Sequence, residues 1–142
     1  MVVTSRFAAE ETRHSDRREW RFEGATVTEL RFDASGLQLH IWTMESDLLI
    51  RLATTIQLSR PEGSATLEPE RTSTLASVLS LLGCRLTSAV VSKTGSLTLQ
   101  FEPSHAIGIV PHPQYEAWEA HGSGVAERFA YLCGPGGGSP WG

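Results

Sequence analysis

Residues 27–42 read VTELRFDASGLQLHIW, and residues 86–101 read LTSAVVSKTGSLTLQF. Each stretch has a short apolar-rich run and a polar turn with a glycine, Gly36 or Gly95, and then apolar and polar residues alternate. The alternating apolar positions are Leu37, Leu39 and Ile41 in the first stretch and Leu97, Leu99 and Phe101 in the second. Because such alternation is typical of half-buried strands, the repeated unit predicts two related β-meanders.

The two halves extend over about residues 20–58 and 86–133. Residues 48–58 follow the first meander, and we interpret them as one long strand that bends near Thr54 and Thr55. The polar positions of the two copies differ, with charged residues in the first and mostly small or neutral residues in the second. The repeat therefore describes the scaffold, and residues specific to function are expected elsewhere.

One helix is predicted over residues 70–82. Leu75, Val78, Leu79 and Leu82 follow the i, i+3, i+4, i+7 spacing of a single apolar stripe. Thr72 or Ser73 can cap its start, and Gly83 stands where a glycine commonly ends a helix. We expect this helix to pack on one face of the sheet.

Together these patterns predict an α+β domain that is rich in antiparallel β-structure. The two meanders would form a curved sheet or a partly open barrel, with the single helix packed on it. Residues 1–18 are polar and aperiodic, so we predict a mobile N-terminal arm followed by a single domain over residues 19–142. Exposed edge strands would allow a homodimer.

Composition excludes several classes of function. The formal net charge of −4 over 142 residues gives no basic face for nucleic acid. No apolar run reaches the roughly 18 residues that a membrane span needs, and the N-terminus lacks a secretory signal, so we expect a cytoplasmic protein. Cys84 and Cys133 are too few for a disulfide framework; idle thiols are expected, although a pairing stays open.

Signatures of catalysis are missing from the sequence. The histidines do not form the short spacings of a metal site, so we predict no metal and no cofactor. The segment GPGGGSP lacks the lysine and hydroxyl residue of a phosphate-binding loop, and no GxSxG elbow occurs. We therefore assign no catalytic residue.

The segment YEAWE is the strongest local candidate for a site. Tyr115 and Trp118 can be aromatic walls of a pocket that Glu116 and Glu119 face, or they can fill the core while the glutamates face water. His112 precedes this segment between two prolines. A second candidate is the pair His40 and Trp42, which share the outward parity of their strand and would form an exposed patch.

The segments LTLQF, YEAWE and PGGG with a closing tryptophan resemble a family of small actinobacterial proteins of unknown function. Trp20, Gly24, Val27 and Asp33 match its spacing in the first half. The chain departs from it at residues 102–105, EPSH, where the family usually carries a compact glycine turn. Members resemble companions of secreted toxins, some of which act as immunity proteins, and no catalytic residue is established for them.

The resemblance and the missing signatures favour a non-catalytic, immunity-like binding protein that acts on another protein by surface complementarity. The alternative is a small-molecule-binding protein or enzyme with a pocket near Tyr115, Glu116 and Trp118. A third hypothesis is a structural role through dimerisation.

Overall fold

The computed structural model describes residues 8–33, 36–42, 46–123 and 129–137. These residues form twelve β-strands and one 3₁₀ helix. The strands are β1 (Ala8–Arg13), β2 (Arg17–Thr26), β3 (Glu29–Asp33), β4 (Gly36–Trp42), β5 (Asp47–Leu52), β6 (Ile56–Arg60), β7 (Gly63–Leu67), β8 (Arg85–Ser92), β9 (Leu97–Glu102), β10 (His105–Ile109), β11 (Trp118–Ser123) and β12 (Phe129–Cys133). The helix spans Thr72–Leu81, between β7 and β8.

The strands form two antiparallel sheets. The large sheet has the order β1-β2-β8-β9-β10-β6-β7, and the small sheet has the order β12-β11-β5-β4-β3. The predicted antiparallel α+β fold with one helix is confirmed. Within the described ranges the sheets stay open and do not close into a barrel.

The two meanders lie in different sheets and exchange their following hairpins. The meander β3-β4-β5 belongs to the small sheet, but the hairpin β6-β7 crosses to the large sheet, where β6 pairs with β10. The meander β8-β9-β10 belongs to the large sheet, but the hairpin β11-β12 crosses to the small sheet, where β11 pairs with β5. Each half of the chain therefore completes the sheet of the other half.

The crossing between β5 and β6 corrects one prediction. We expected a single bent strand over residues 48–58, whereas the chain leaves the small sheet after Leu52 and enters the large sheet at Ile56. The N–H of Ala53 donates a hydrogen bond to the carbonyl of Ala117 across 2.8 Å. The expected bend near Thr54 and Thr55 is thus a change of sheet.

Part of the segment predicted as a mobile N-terminal arm is a strand. Residues 8–13 form β1, which pairs with β2 from Ala8↔Glu23 to Arg13↔Arg18. An edge strand has only one neighbour and can be polar, so it lacks the apolar alternation that identifies a buried strand. Residues 1–7 lie outside the described part of the chain, as does the closing tryptophan, Trp141.

The helix has a different period from the predicted one. A 3₁₀ helix has three residues per turn, so Leu75, Val78 and Leu81 share a face, and all three are buried. Leu79 and Leu82, which an α-helix would bury, are 58% and 55% exposed. The residue that precedes the helix is Arg71, without a side-chain cap, so the prediction of Thr72 or Ser73 as the cap is wrong.

The core lies between the sheets and receives the alternating apolar residues of both meanders. Leu37, Leu39 and Ile41 are buried in β4, and their counterparts Leu97, Leu99 and Phe101 are buried in β9. His105 of β10 pairs with Phe101 just as Leu48 of β5 pairs with Ile41, so a histidine occupies a core position. Its Nε2 lies 3.0 Å from Ser80 Oγ on the helix.

Among the described residues, no helix has the length and apolarity that crossing a bilayer requires.

Candidate functional site

The outward-facing side chains of the small sheet form a mostly polar surface, which we call the outer face. The strand registers place its members on the side opposite the core. They are Glu29, Arg31, Asp33, Gln38, His40, Trp42, Asp47, Leu49, Arg51, Glu119, His121, Ser123 and Leu132. The surface therefore combines both members of the predicted patch, His40 and Trp42, with Glu119 of the YEAWE segment.

Arg51 is at the centre of the acidic part of the outer face. Its Nε donates a hydrogen bond to Glu119 Oε1 at 2.9 Å, and its terminal nitrogen lies 3.7 Å from Glu116 Oε2. The hydrogen bond from Arg51 lowers the pKa of Glu119, with a smaller contribution from His121 and against the effect of burial. The two glutamates of YEAWE thus face an arginine on a neighbouring strand.

His40 is held between two carboxylates on the same face. Its Nε2 lies 2.7 Å from Asp47 Oδ1, and its Nδ1 lies 3.9 Å from Glu29 Oε2. Glu29 in turn forms an ion pair with Arg31, which lowers the pKa of the glutamate. His40 is therefore oriented by its neighbours, whereas the side chain of Trp42 is 51% exposed and available for contact.

Trp118 lies in the core. Its side chain is completely buried, and its indole nitrogen donates a 2.7 Å hydrogen bond to the carbonyl of Gly95. The void beside it has a volume of about 10 Å³ and is lined by core side chains of both sheets. A void of this size holds at most about one water molecule. Of the two interpretations of this tryptophan, the structure favours the packing one.

Tyr115 and His112 meet at a different place, where the chain crosses between the sheets. Their ring centroids are 4.7 Å apart, and Tyr115 is 61% exposed. They border a cavity of about 100 Å³, which we call the crossover pocket. Its lining residues are Ala53, Thr54, Thr55, Glu68, Pro69, Glu70, His112 and Tyr115. The carboxylates of this pocket come from the segment before the helix and not from YEAWE, because Glu116 points to Arg51.

The cysteines lack the surroundings of a reactive thiol. Cys84 and Cys133 are unpaired and buried, and burial raises the pKa of both thiols. A raised pKa leaves less of the nucleophilic thiolate at neutral pH. In the described part of the chain, no group of three or more histidine, cysteine or acidic residues is placed to hold a metal ion.

A model of a family of unknown function, DUF6188, matches residues 17–142. The chain belongs to this family. No curated protein and no solved structure matches it. The DUF6188 match begins at the first residue of β2, so the edge strand β1 lies outside it. The match confirms one part of the resemblance, namely that the chain belongs to a family of unknown function.

Sequence reasoning did not identify Arg51 and Asp47 as candidate site residues of this DUF6188 protein. Both have the outward parity of β5, which the sequence shows, but their partners lie on other strands. Glu119 is 68 residues from Arg51 along the chain, and only the hairpin exchange brings β11 beside β5. No local pattern in the sequence predicts this neighbourhood.

Proposed function

We propose that the protein is a non-catalytic binding protein that recognises another protein through the outer face of the small sheet. The observation that carries the proposal is Trp42, which is half exposed at the margin of the outer face. On the same face, His40 contacts Asp47 and Arg51 forms an ion pair with Glu119, so these polar groups are held in place. Exposed tryptophans are enriched among residues that dominate binding energy at protein interfaces. A rigid, prearranged surface also loses little entropy when it binds.

Charge supports a partner with a basic surface. The described outer face has four carboxylates, and Glu116 adds a fifth through its contact with Arg51, against the two guanidinium groups of Arg31 and Arg51. The difference is a net charge of −3, most of the −4 that the whole chain carries. Complementary charge increases association rates and rejects partners of like charge. The toxin-companion resemblance and a cytoplasmic location belong to this proposal, with a basic toxin domain as the partner.

The test is capture from an extract of the native cell on immobilised protein. The wild type is expected to retain a protein partner, and Trp42→Ala is expected to reduce its retention by at least about tenfold. Leu82→Ala is the matched control, because Leu82 is similarly exposed at 55% but lies after the helix. Failure of the wild type to retain any protein, or equal retention by Trp42→Ala, would contradict the proposal.

The crossover pocket supports a second candidate function, the binding of a small ligand. Its volume of about 100 Å³ is below the roughly 300 Å³ at which pockets for drug-sized ligands begin, so the ligand would have few heavy atoms. The acidic residues Glu68 and Glu70 line the pocket beside Tyr115 and His112, which favours a small organic cation. Glu68 also forms an ion pair with Arg71, so Glu70 is the carboxylate to test. No reaction is assigned to this pocket.

Methylammonium, guanidinium and tetramethylammonium are suitable probes of the second candidate. Binding of one of them should raise the melting temperature of the wild type and have a smaller effect on Glu70→Gln. Glu102→Gln is the control, since Glu102 is an exposed glutamate on β9 that does not line the pocket. Equal shifts in all three proteins would eliminate the pocket as a cation site.

A further inference from the structure

An apolar groove lies beside β3, at the edge of the small sheet. It has a volume of about 300 Å³ and is lined by Phe32 of β3 and by Ser73, Leu75, Ala76 and Leu79 of the helix. Phe32 is 40% exposed and Leu79 is 58% exposed. The volume of the groove reaches the range of ligand-binding pockets. Clustered, solvent-exposed apolar side chains are a feature of interaction sites.

The strand next to the groove has one neighbour among the described strands. β3 pairs with β4, and its other side ends the small sheet. The backbone groups of an edge strand can pair with an extended segment of another chain, about 4.8 Å away. In that segment, alternate side chains would point towards the groove and towards the outer face.

The charges of β3 specify the chemistry of that segment. Glu29, Arg31 and Asp33 lie on the outer side of the strand and alternate in sign, while Leu30 and Phe32 lie on the groove side. In an antiparallel pair, residues directly opposite each other share a face, and opposite charges there are favourable. A complementary segment therefore reads cation, apolar, anion, apolar, cation.

The same pattern argues against a second copy of this chain. If two β3 strands paired antiparallel over their full length, Arg31 would lie opposite Arg31 of the second copy, and Glu29 would lie opposite Asp33. Like charges directly opposite each other are destabilising. A shift by two residues restores opposite charges but leaves only three of the five residues in each strand paired.

We propose that β3 and the groove bind an extended segment of a partner protein that adds to the small sheet as an antiparallel strand. Its apolar side chains enter the groove beside Phe32 and Leu79, and its charged side chains alternate in the order basic, acidic, basic. The site is continuous with the outer face, so the inference rests on the proposed function and describes how the same partner is held.

The test is a nuclear magnetic resonance titration with two capped peptides. The matched peptide is Lys-Leu-Glu-Val-Lys, and the inverted peptide is Glu-Leu-Lys-Val-Glu. The matched peptide should shift the amide resonances of residues 29–33 and 73–79 and bind at least about tenfold more tightly than the inverted one, since three cross-strand charge pairs differ. Equal binding of both peptides, no binding, or shifts confined to other residues would overturn the proposal.

Protein variants distinguish binding in the groove from nonspecific binding to exposed apolar side chains. Leu79→Glu should weaken binding of the matched peptide at least about fivefold, because it places a charge in the apolar groove. Leu82→Glu should leave binding unchanged, since Leu82 is similarly exposed but does not line the groove. Arg31→Glu should prefer a basic residue over an acidic one at the centre of the peptide. It should therefore bind Lys-Leu-Lys-Val-Lys more tightly than the matched peptide. Loss of binding in Leu82→Glu as well would contradict the site.

Two further measurements isolate this inference from the proposed function. Trp42→Ala should still bind the matched peptide, because Trp42 does not line the groove. If the wild type binds the peptide but captures no protein from the cell extract, only the outer-face proposal is refuted. Capture that depends on Trp42, together with no peptide binding, would refute only the strand addition. Concentration-dependent shifts of residues 29–33 without peptide would identify a second copy as the occupant and overturn the proposal.

Discussion

The indole nitrogen of Trp118 and the carbonyl oxygen of Gly95 are joined by a 2.7 Å hydrogen bond that links the two sheets. Trp118 begins β11 in the small sheet, and Gly95 lies in the turn between β8 and β9 of the large sheet. Both residues are buried, so the bond satisfies polar groups that are removed from water. It explains why the YEAWE segment contains a tryptophan that faces away from the surface.

Trp118→Phe should therefore destabilise the fold. Phenylalanine leaves the Gly95 carbonyl without this donor and fills less of the core, and we expect a loss of about 2–3 kcal/mol in the free energy of unfolding. Trp42→Phe is the control, because Trp42 is 51% exposed, and its change should stay within about 0.5 kcal/mol. Urea unfolding measures both. Similar losses in the two variants would contradict the assigned role of Trp118.

Gly36→Ala tests the packing at the start of β4 in the small sheet. Gly36 has a φ of 124°, and a Cβ at this position would lie 2.4 Å from the carbonyl oxygen of Leu52. The strain and the clash together should cost about 3 kcal/mol of stability. Gly108→Ala is the matched control in β10, where an added Cβ meets nothing within 4 Å and φ is not in the left-handed region. Thermal unfolding of both variants gives the comparison, and a stable Gly36→Ala would refute the clash.

Leu81→Ala and Leu82→Ala distinguish the observed 3₁₀ helix from the predicted α-helix. Leu81 is completely buried in the 3₁₀ register, so its truncation should cost about 2–4 kcal/mol. Leu82 would be buried in the α-helical register but is 55% exposed, and its truncation should cost less than about 0.5 kcal/mol. A larger loss of stability in Leu82→Ala than in Leu81→Ala on chemical denaturation would support the α-helical register instead.

Local alternation was sufficient to predict the meanders, because a strand with one buried face shows its period directly in Leu37, Leu39 and Ile41. The helix was placed correctly but given the wrong period, since leucines at residues 75, 79 and 82 match an α-helical stripe. β1 was missed, since an edge strand needs no apolar alternation.

The candidate site depends on contacts that are distant in the sequence. His40 and Trp42 could be placed on an outward face from parity alone, whereas the sequence left open whether Glu119 faces a pocket or water. The pairing of Arg51 with Glu119 required the hairpin exchange between the sheets. The groove beside Phe32 likewise required the helix to lie next to β3. The orientation of side chains within one strand was therefore predictable from the sequence. Contacts between elements that are far apart in the sequence were not.

Glu119→Gln should reduce stability at neutral pH by about 1 kcal/mol, because it replaces a charged partner of Arg51 in a partly buried pair. Since the folded state lowers the pKa of Glu119, the carboxylate contributes stability fully above its ordinary pKa of 4.5. That contribution is lost as the pH falls below 4.5 and through the lower pKa of the folded state. The stabilities of the wild type and the variant should therefore converge as the pH is lowered through this range.

Urea unfolding of both proteins at a series of pH values between 7 and 3 measures the convergence. Glu102→Gln is the control: Glu102 forms an ion pair with Arg85 in which both side chains are more than half exposed, so its removal should change stability by less than about 0.5 kcal/mol. A stability difference between the wild type and Glu119→Gln that stays constant down to pH 3 would contradict the lowered pKa. Convergence would show that the folded state stabilises the charged form of Glu119, as its contacts with Arg51 and His121 predict.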